Sequence, residues 1–252
     1  MYLWKYWLDT KVKFFAAAAF FCFWLITAHI FFVHLTLTSN HHASAENIPD
    51  AFFGILVAVS TYCLFVSWVL GNESVGADIG KGSGEYLLTR PGERGHLVWT
   101  GWLVGLTEAI VLWIFLAAIM LVSLSVWIRE TGSGTGLDAA IGWSNLSFYL
   151  PVLLLMFAIN AGLLFGLTYC IGVVTRSGSR ALLMSAAAIF AYEIVKGYMF
   201  QLFHASLPEL LLAYNYSDHV FHVPALRSFI ARAVCVFCFP ALAHFVLQRM
   251  EI

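Results

Sequence analysis

The sequence predicts an all-α integral membrane protein with six transmembrane helices. Of its 252 residues, 61% are hydrophobic and 11% are charged, whereas soluble domains carry about 25% charged residues. Six continuous apolar segments are long enough to cross a bilayer, which requires about 20 helical residues. Because their apolar residues do not alternate with a period of two, these segments predict helices and not the strands of a barrel. We place the six spans near 14–37, 52–70, 97–128, 148–174, 180–203 and 226–248.

Residues 1–13 predict a short helix that lies in the membrane interface before the first span. Trp4, Trp7 and Leu8 belong to an apolar stripe at helical spacing, and the lysines of this segment lie outside the stripe. Aromatic rings beside lysines are typical of helices that lie among lipid headgroups. The same residues also fit an aromatic anchor with no helix of its own.

The segment between the second and third spans predicts the largest cytoplasmic feature of the chain. Its first half is rich in glycine and is therefore poor as an independent helix. Its second half contains the compact apolar turn GEYLLT, followed by Arg90 and Pro91. Pro91 disfavours a helical conformation at Arg90 but suits the first turn of the next helix. We therefore predict a short broken helix, a kink, and a third span that is longer than the membrane is thick and tilts or begins in the cytoplasm.

The segment 204–225, between the fifth and sixth spans, predicts a re-entrant structure on the outer side. Its stretch PELLLAY, beginning at Pro208, is apolar but too short to cross the bilayer. Such a segment lies on the outer leaflet or dips into it as a hairpin. No internal repeat or flexible linker divides the chain, so we expect residues 1–252 to form a single transmembrane domain.

Lysine and arginine residues in the loops predict that both termini face the cytoplasm. Nine of them lie on the side of the N terminus, and Arg129 is the only one in the loops of the opposite side. Positive charge concentrates in the cytoplasmic loops of membrane proteins. The formal net charge of −1 argues against a broad nucleic-acid surface. The nine residues are Lys5, Lys11, Lys13, Lys81, Arg90, Arg94, Arg176, Arg180 and Arg249.

The loop after the second span resembles a loop of the permease subunits of type-2 ABC transporters. Members of this family carry Gly-x-x-Glu followed by a Leu-Leu-(Thr/Ser)-x-Pro-x-x-Arg run. The sequence match covers about residues 72–105, while the predicted spans, interfacial helix and outer re-entrant segment agree with the family's architecture over nearly the whole chain. The matching residues are Gly82, Glu85, Leu87, Leu88, Thr89, Arg90, Pro91 and Arg94.

The resemblance implies that this loop contains a coupling helix, which docks into a cleft on a separate ATP-binding subunit. A short helix stopped by proline, with an apolar centre and a polar rim, suits such a docking surface. The alternative is that the arginines only fix the topology and the proline only begins the third span. The residues implied in partner coupling are Glu85, Tyr86, Leu87, Leu88, Arg90, Pro91 and Arg94.

The same resemblance implies that the chain is the permease subunit of an ATP-driven exporter in the cytoplasmic membrane of a prokaryote. A second permease copy, identical or related, would form the substrate path with it, and the ATP-binding partner would hold ATP and Mg. The chain contains no Gly-x-x-x-x-Gly-Lys-(Ser/Thr) phosphate loop, so we expect no cofactor and no catalytic residue in it. The alternative function is that of a non-transporting membrane anchor or assembly subunit of a larger complex, perhaps a redox complex.

Four ionisable residues within the predicted spans are candidate functional residues, since charge inside a bilayer is rare unless it has a role. Glu108 lies near the middle of the third span. Glu193 and Lys196 are one turn apart on the fifth span and can pair with each other. Arg232 shares the outer half of the bilayer with that pair. These three residues form either a structural cluster that holds spans five and six together, which we favour, or part of an exit path.

Histidines in the outer loops raise the alternative of a metal site. Imidazole together with carboxylate suits zinc or copper. The candidate ligands are His41, His42, His219 and His222, but their spacing does not form a closed metal motif. We therefore expect no metal site.

The charge distribution predicts how cysteines placed in two loops react. Ser44 lies in the first outer loop and Ser83 in the loop after the second span. In intact cells, Ser44→Cys should react with a membrane-impermeant thiol reagent, whereas Ser83→Cys should react only after the membrane is opened. The wild-type chain is the control, because its five cysteines all fall in predicted spans. Reversed labelling would contradict the orientation.

Overall fold

The computed structural model describes residues 7–8, 10–24, 48–72, 78–79, 94–130, 143–204, 215–217, 220–222 and 226–249. Within these residues, six helices and one short β-hairpin follow one another along the chain. The elements are α1 (10–24), α2 (Ile48–Leu70), α3 (Arg94–Glu130), α4 (Trp143–Thr175), α5 (Gly178–Phe203), β1 (Asn215–Ser217), β2 (Val220–His222) and α6 (Leu226–Arg249).

Four of these helices contain stretches that are long and apolar enough to cross a membrane, as expected for a helical membrane protein. A shorter apolar stretch, Val57–Leu70, belongs to α2. Helices α4 and α6 continue through Pro151 and Pro240, as membrane helices do when neighbouring groups satisfy the freed backbone. The four long stretches are Gly95–Ser123, Leu150–Thr175, Gly178–Phe203 and Leu226–Arg249.

The β-hairpin is an element that the sequence analysis did not predict. Its antiparallel pairs run from Asn215 with His222 to Ser217 with Val220. Two residues separate the strands, which is the connection length of the tightest hairpins. Apart from these six strand residues, the described elements are helices, in agreement with the predicted all-α fold class. The apolar stretch that predicts a re-entrant segment, 208–214, lies outside the described residues.

Helix α1 runs without a break through residues 10–24, and thus crosses the boundary that the sequence analysis places between the interfacial helix and the first span. Thr10 is buried, and its hydroxyl donates a hydrogen bond to Glu108 on α3. The ring of Trp7 packs edge-on against Phe14, with 5.8 Å between the ring centroids. The beginning of α1 is thus held against α3. The rest of the first predicted span, beyond residue 24, lies outside the described residues.

Helix α4 is the centre of the bundle, since it packs against α2, α3, α5 and α6. The ring of Phe157 stacks on that of Trp113 on α3, with 5.6 Å between the centroids. The indole Nε1 of Trp113 donates a 2.9 Å hydrogen bond to Ser60 on α2. These contacts fix three helices against one another at one height in the bundle.

Glycines let the neighbouring helices approach α4 closely. A Cβ atom at Gly162 would lie 2.8 Å from Val236 on α6, and Gly166, one turn later, faces the same helix. On α3, a Cβ at Gly105 would overlap the ring of Phe165. The spacing of the two α4 glycines is the small-x-x-x-small pattern by which membrane helices pack at short range.

Helix α5 follows α4 after a two-residue turn. Arg176 has a left-handed backbone with φ 51°, and Ser177 is extended before the first residue of α5. At the other end, His204 is also left-handed, and its N–H donates to the carbonyls of Met199 and Phe200. The short turn makes α4 and α5 packed neighbours.

The surface of α5 is mostly outward-facing and apolar. Ala181 and Ser185 are its buried residues, and Ser185 accepts a 2.7 Å hydrogen bond from the indole Nε1 of Trp68 on α2. A surface of this kind is unfavourable in water and suits lipid or another apolar protein surface. Its exposed large apolar side chains are Leu183, Met184, Phe190, Ile194, Val195, Tyr198, Phe200, Leu202 and Phe203.

The contact between Gly105 and Phe165 predicts that Gly105→Ala lowers the free energy of unfolding. Overpacking of a well-packed core typically costs about 1–3 kcal/mol. The matched control is Gly197→Ala, because a Cβ at Gly197 meets nothing within 4 Å and alanine favours a helix over glycine by about 1 kcal/mol. Thermal unfolding in one detergent compares the two variants. Equal stability would contradict the close packing, and adding Phe165→Leu to Gly105→Ala should restore part of the loss.

Candidate functional site

The predicted coupling residues fall in the segment between α2 and α3. Residues 80–93 lie outside the described residues, and these include the apolar centre and most of the rim of the proposed docking surface. Arg94 is the first residue of α3. What the structure does describe is where this segment leaves the bundle and where it returns.

The segment leaves the bundle at a point held tightly against α4. Helix α2 ends in a turn at Gly71 and Asn72, whose backbone N–H groups donate to carbonyls of the preceding turn. A Cβ at Gly71 would lie 2.8 Å from the carbonyl oxygen of Phe165 and 3.0 Å from Cβ of Thr168. Asn72 in turn lies so close to Gly178 that a Cβ there would overlap the Asn72 side chain. The end of α2 is therefore fixed to both α4 and the start of α5.

The segment returns at a second close contact, between α3 and α6. A Cβ at Gly95 would overlap the imidazole of His244 on α6. Two turns further, Trp102 of α3 packs on Phe237 of α6, with 5.6 Å between the ring centroids. The Nδ1 atom of His244 is buried and has no hydrogen-bond partner among the described residues. We call Gly71, Asn72, Gly95, Gly178 and His244 the loop anchor.

Basic side chains lie at the same end of the bundle as the loop anchor. Arg176 lies in the turn between α4 and α5, Arg180 lies in the first turn of α5, and both side chains are exposed. Arg249 ends α6, and its guanidinium lies 4.1 Å from the ring centroid of Phe245. The end of α2, the start of α3, the turn between α4 and α5 and the end of α6 therefore lie at one end of the described bundle.

Glu108 is a buried carboxylate at a middle height of α3. Its side chain is 5% exposed, and Oε1 accepts the hydrogen bond from Thr10. Its other oxygen, Oε2, has no partner among the described residues. It lines a cleft of about 410 Å³ together with apolar side chains of α3 and with Trp7 and Phe14 from the start of the chain.

Glu193 and Lys196 form the ion pair that their spacing predicts, with 3.2 Å between Lys196 Nζ and Glu193 Oε2. Their side chains are 47% and 24% exposed, since both lie on the outward-facing helix α5. Arg232 is buried on α6. Helix α5 packs on α4, whereas α6 packs on α4 and α3. Extensive packing between α5 and α6 is thus missing from the described bundle, and the expected cluster that holds these two helices together gains no support.

The candidate metal ligands are mostly beyond the described residues. These are His41, His42 and His219, while His222 is the last residue of β2. Among the described residues, no group of three or more His, Cys, Asp or Glu side chains is arranged to hold a metal ion.

Several contacts of this site carry little signal in the sequence. Thr10 lies between Asp9 and Lys11 in the sequence, and nothing near it indicates a partner 98 positions away. Gly95 and His244 likewise meet from helices that are distant in the chain. Of these residues, only Gly95, a glycine near a helix end, indicates from the sequence that two helices could approach each other closely.

Comparisons with family models, with curated proteins and with solved structures found no match to this chain.

The Glu193–Lys196 pair predicts a non-additive effect on stability. Lys196→Ala should lower the thermal stability in detergent, because it leaves a carboxylate without its partner on an apolar helix face. Glu193→Leu combined with Lys196→Leu should recover much of that loss. Arg180→Ala, at the exposed start of the same helix, is the control and should change little. If the double variant is fully stable but inactive in transport, the pair belongs to the substrate path.

Proposed function

We propose that this chain is the permease subunit of a type-2 ABC exporter. The observation that carries the proposal is the motif GEYLLTRPGER, placed in a segment whose two ends are seated on the bundle core at its basic end. A docking loop needs firm attachment at both ends if movement of a partner is to reach the helices. The loop anchor supplies such attachment.

The proposed transmission runs along the two helices that flank the loop. Helix α3 has 37 residues and is therefore about 55 Å long at 1.5 Å per residue. Its first turns contact α6 through Gly95 and His244, while the end of α2 contacts α4 at Gly71. A displacement of the loop would therefore act on α4 and α6 at once. This is the arrangement that a permease requires if ATP-driven closure of a partner is to open or close its path.

The proposed assembly contains two kinds of partner in addition to this chain. An ATP-binding subunit would hold ATP and Mg, and its cleft would receive Tyr86, Leu87 and Leu88. A second permease copy, identical or related, would complete the substrate path. The complex would lie in the cytoplasmic membrane of a prokaryote, with both termini of this chain in the cytoplasm. The Lys and Arg distribution supports that orientation.

The docking proposal predicts that Leu87→Ala with Leu88→Ala uncouples the permease from its ATP-binding partner. Truncating a buried interface anchor often costs 2 kcal/mol or more, or about a thirtyfold loss of affinity. Membrane insertion should remain intact, because both residues lie between α2 and α3. The measurements are co-purification of the partner and ATP hydrolysis by the reconstituted complex.

Lys81→Ala, on the predicted exposed edge of the same loop, is the control and should have little effect. A double leucine variant that binds its partner and supports ATP hydrolysis like the wild type would contradict the proposal. Co-purification of the wild-type chain with a complex that has no ATP-binding subunit would instead favour the membrane-anchor function.

A further inference from the structure

Helix α5 carries an ion pair on a surface that otherwise suits lipid. Of its 26 residues, Ala181 and Ser185 are buried in the bundle. Lys196 Nζ lies 3.2 Å from Glu193 Oε2, and the Glu193 side chain is 47% exposed. Ionisable side chains inside a bilayer almost always face protein or a water-filled cavity. The exposed carboxylate therefore indicates that another surface covers this part of α5.

The ion pair lies far from both ends of the helix. Glu193 is ten residues before Phe203, so it lies about 15 Å from the nearer end of α5 at 1.5 Å per residue. A lysine near the end of a membrane helix usually extends toward the lipid headgroups. Lys196 instead binds Glu193, which is one turn nearer the middle of α5. Both charges are therefore held in the apolar part of the membrane.

The polar residues of α5 are concentrated on one flank of its exposed surface. Glu193, Gly197 and Gln201 are all exposed and follow one another at four-residue spacing, so they lie on one side of the helix. Lys196 lies beside them, bonded to Glu193. A Cβ atom at Gly197 would meet nothing within 4 Å, which leaves room for a neighbouring helix to approach. We call Glu193, Lys196, Gly197 and Gln201 the polar flank.

The opposite flank of the same helix has no polar side chain. Its residues recur at helical spacing and are all exposed, as on the polar flank. A surface of this composition suits lipid without any further partner. We call it the apolar flank, and it consists of Met184, Ala188, Ala191, Val195 and Leu202.

The polar flank is complementary to itself in charge. It presents one negative and one positive side chain one turn apart. When two copies of a chain meet about a two-fold axis, both contribute the same surface. Glu193 of one copy can then pair with Lys196 of the other, and the reverse pair forms at the same time. A partner with charge of a single sign would instead bring a like charge to either Glu193 or Lys196.

We propose that the polar flank of α5 is the surface through which two identical copies of this chain associate. The two α5 helices lie side by side in the same orientation, and Glu193 of each copy is bonded to the partner's Lys196. The contact removes the four charged groups from lipid, while the apolar flank of each copy stays in contact with it. This inference rests on the proposed function for the presence of a second permease copy, which it identifies as an identical chain.

Charge reversal in one copy at a time tests whether the ions pair between chains. Glu193→Lys gives a polar flank with two positive charges, and Lys196→Glu gives one with two negative charges. Full-length chains, labelled on a terminal tag with a donor or an acceptor fluorophore, are reconstituted into phosphatidylcholine vesicles, and energy transfer measures their association. Each variant alone should associate about tenfold more weakly than the wild type, or weaker still, because like charges meet. A mixture of the two variants should regain most of the wild-type association.

Cysteine cross-linking tests which flank forms the contact. Cys235 and Cys238 are exposed on α6, so both are replaced by alanine in the parent chain. Gln201→Cys should then form a disulfide-linked dimer in oxidised vesicles. The adjacent Leu202→Cys, on the apolar flank, is the matched control and should remain largely monomeric, as should the parent chain. Thermal unfolding verifies that each variant is folded.

Three results would overturn the proposal: no self-association of the wild type, no gain of association in the mixture of folded variants, or equal cross-linking at the two cysteines. If the charge-reversed chains do not fold, the comparison of the two cysteines decides. No ATP-binding subunit is present in these vesicles, so a failure here leaves the docking of the segment between α2 and α3 unaffected. Conversely, Leu87→Ala with Leu88→Ala should leave self-association unchanged.

Discussion

Close packing on helix α4 is the constraint on which the rest of this structure depends. In a bilayer, helices gain little from leaving lipid for one another, so association depends on tight van der Waals contact and a few hydrogen bonds. Gly105 and Gly162 permit this contact with α3 and α6, and Phe157 stacks on Trp113. Once these contacts are made, the relative heights of α2, α3, α4 and α6 are fixed. Glu108 on α3 and Arg232 on α6 take their positions from that register.

Polar side chains in this bundle are satisfied mostly within their own helices. The hydroxyls of Ser67 and Thr168 donate to the carbonyls four residues earlier, which removes the penalty of placing them in an apolar environment. Bonds between helices are fewer, and each ties a specific pair together, as Trp68 does with Ser185. Glu108 departs from this pattern, because its one hydrogen bond comes from Thr10 on another helix and its second oxygen is buried without a partner among the described residues.

The loop anchor relates the architecture to the proposed coupling. The segment between α2 and α3 is flanked by two glycines, Gly71 and Gly95, and each packs closely against a neighbouring helix. A larger residue at either position would push the helix end away from its neighbour and soften the attachment. The outward-facing helix α5, in contrast, is attached mainly near its start, where Ser185 meets Trp68. The bundle thus combines a firmly held core of α2, α3, α4 and α6 with one helix whose apolar surface is available to its surroundings.

The sequence by itself determined the helices, because continuous apolar runs of about 20 residues can satisfy their backbone hydrogen bonds in lipid only as helices. It also determined the Glu193–Lys196 ion pair, because the two residues are three positions apart on one helix. It also placed the basic residues at one end, since Arg176, Arg180 and Arg249 follow directly from the order of the spans. Only the tertiary structure decided that Thr10 meets Glu108 and that Gly95 meets His244. Such contacts join positions far apart in the chain, and they depend on which faces of two helices come together. Helical periodicity alone does not specify those faces when nearly every side chain is apolar, because lipid and the protein interior accept the same residues.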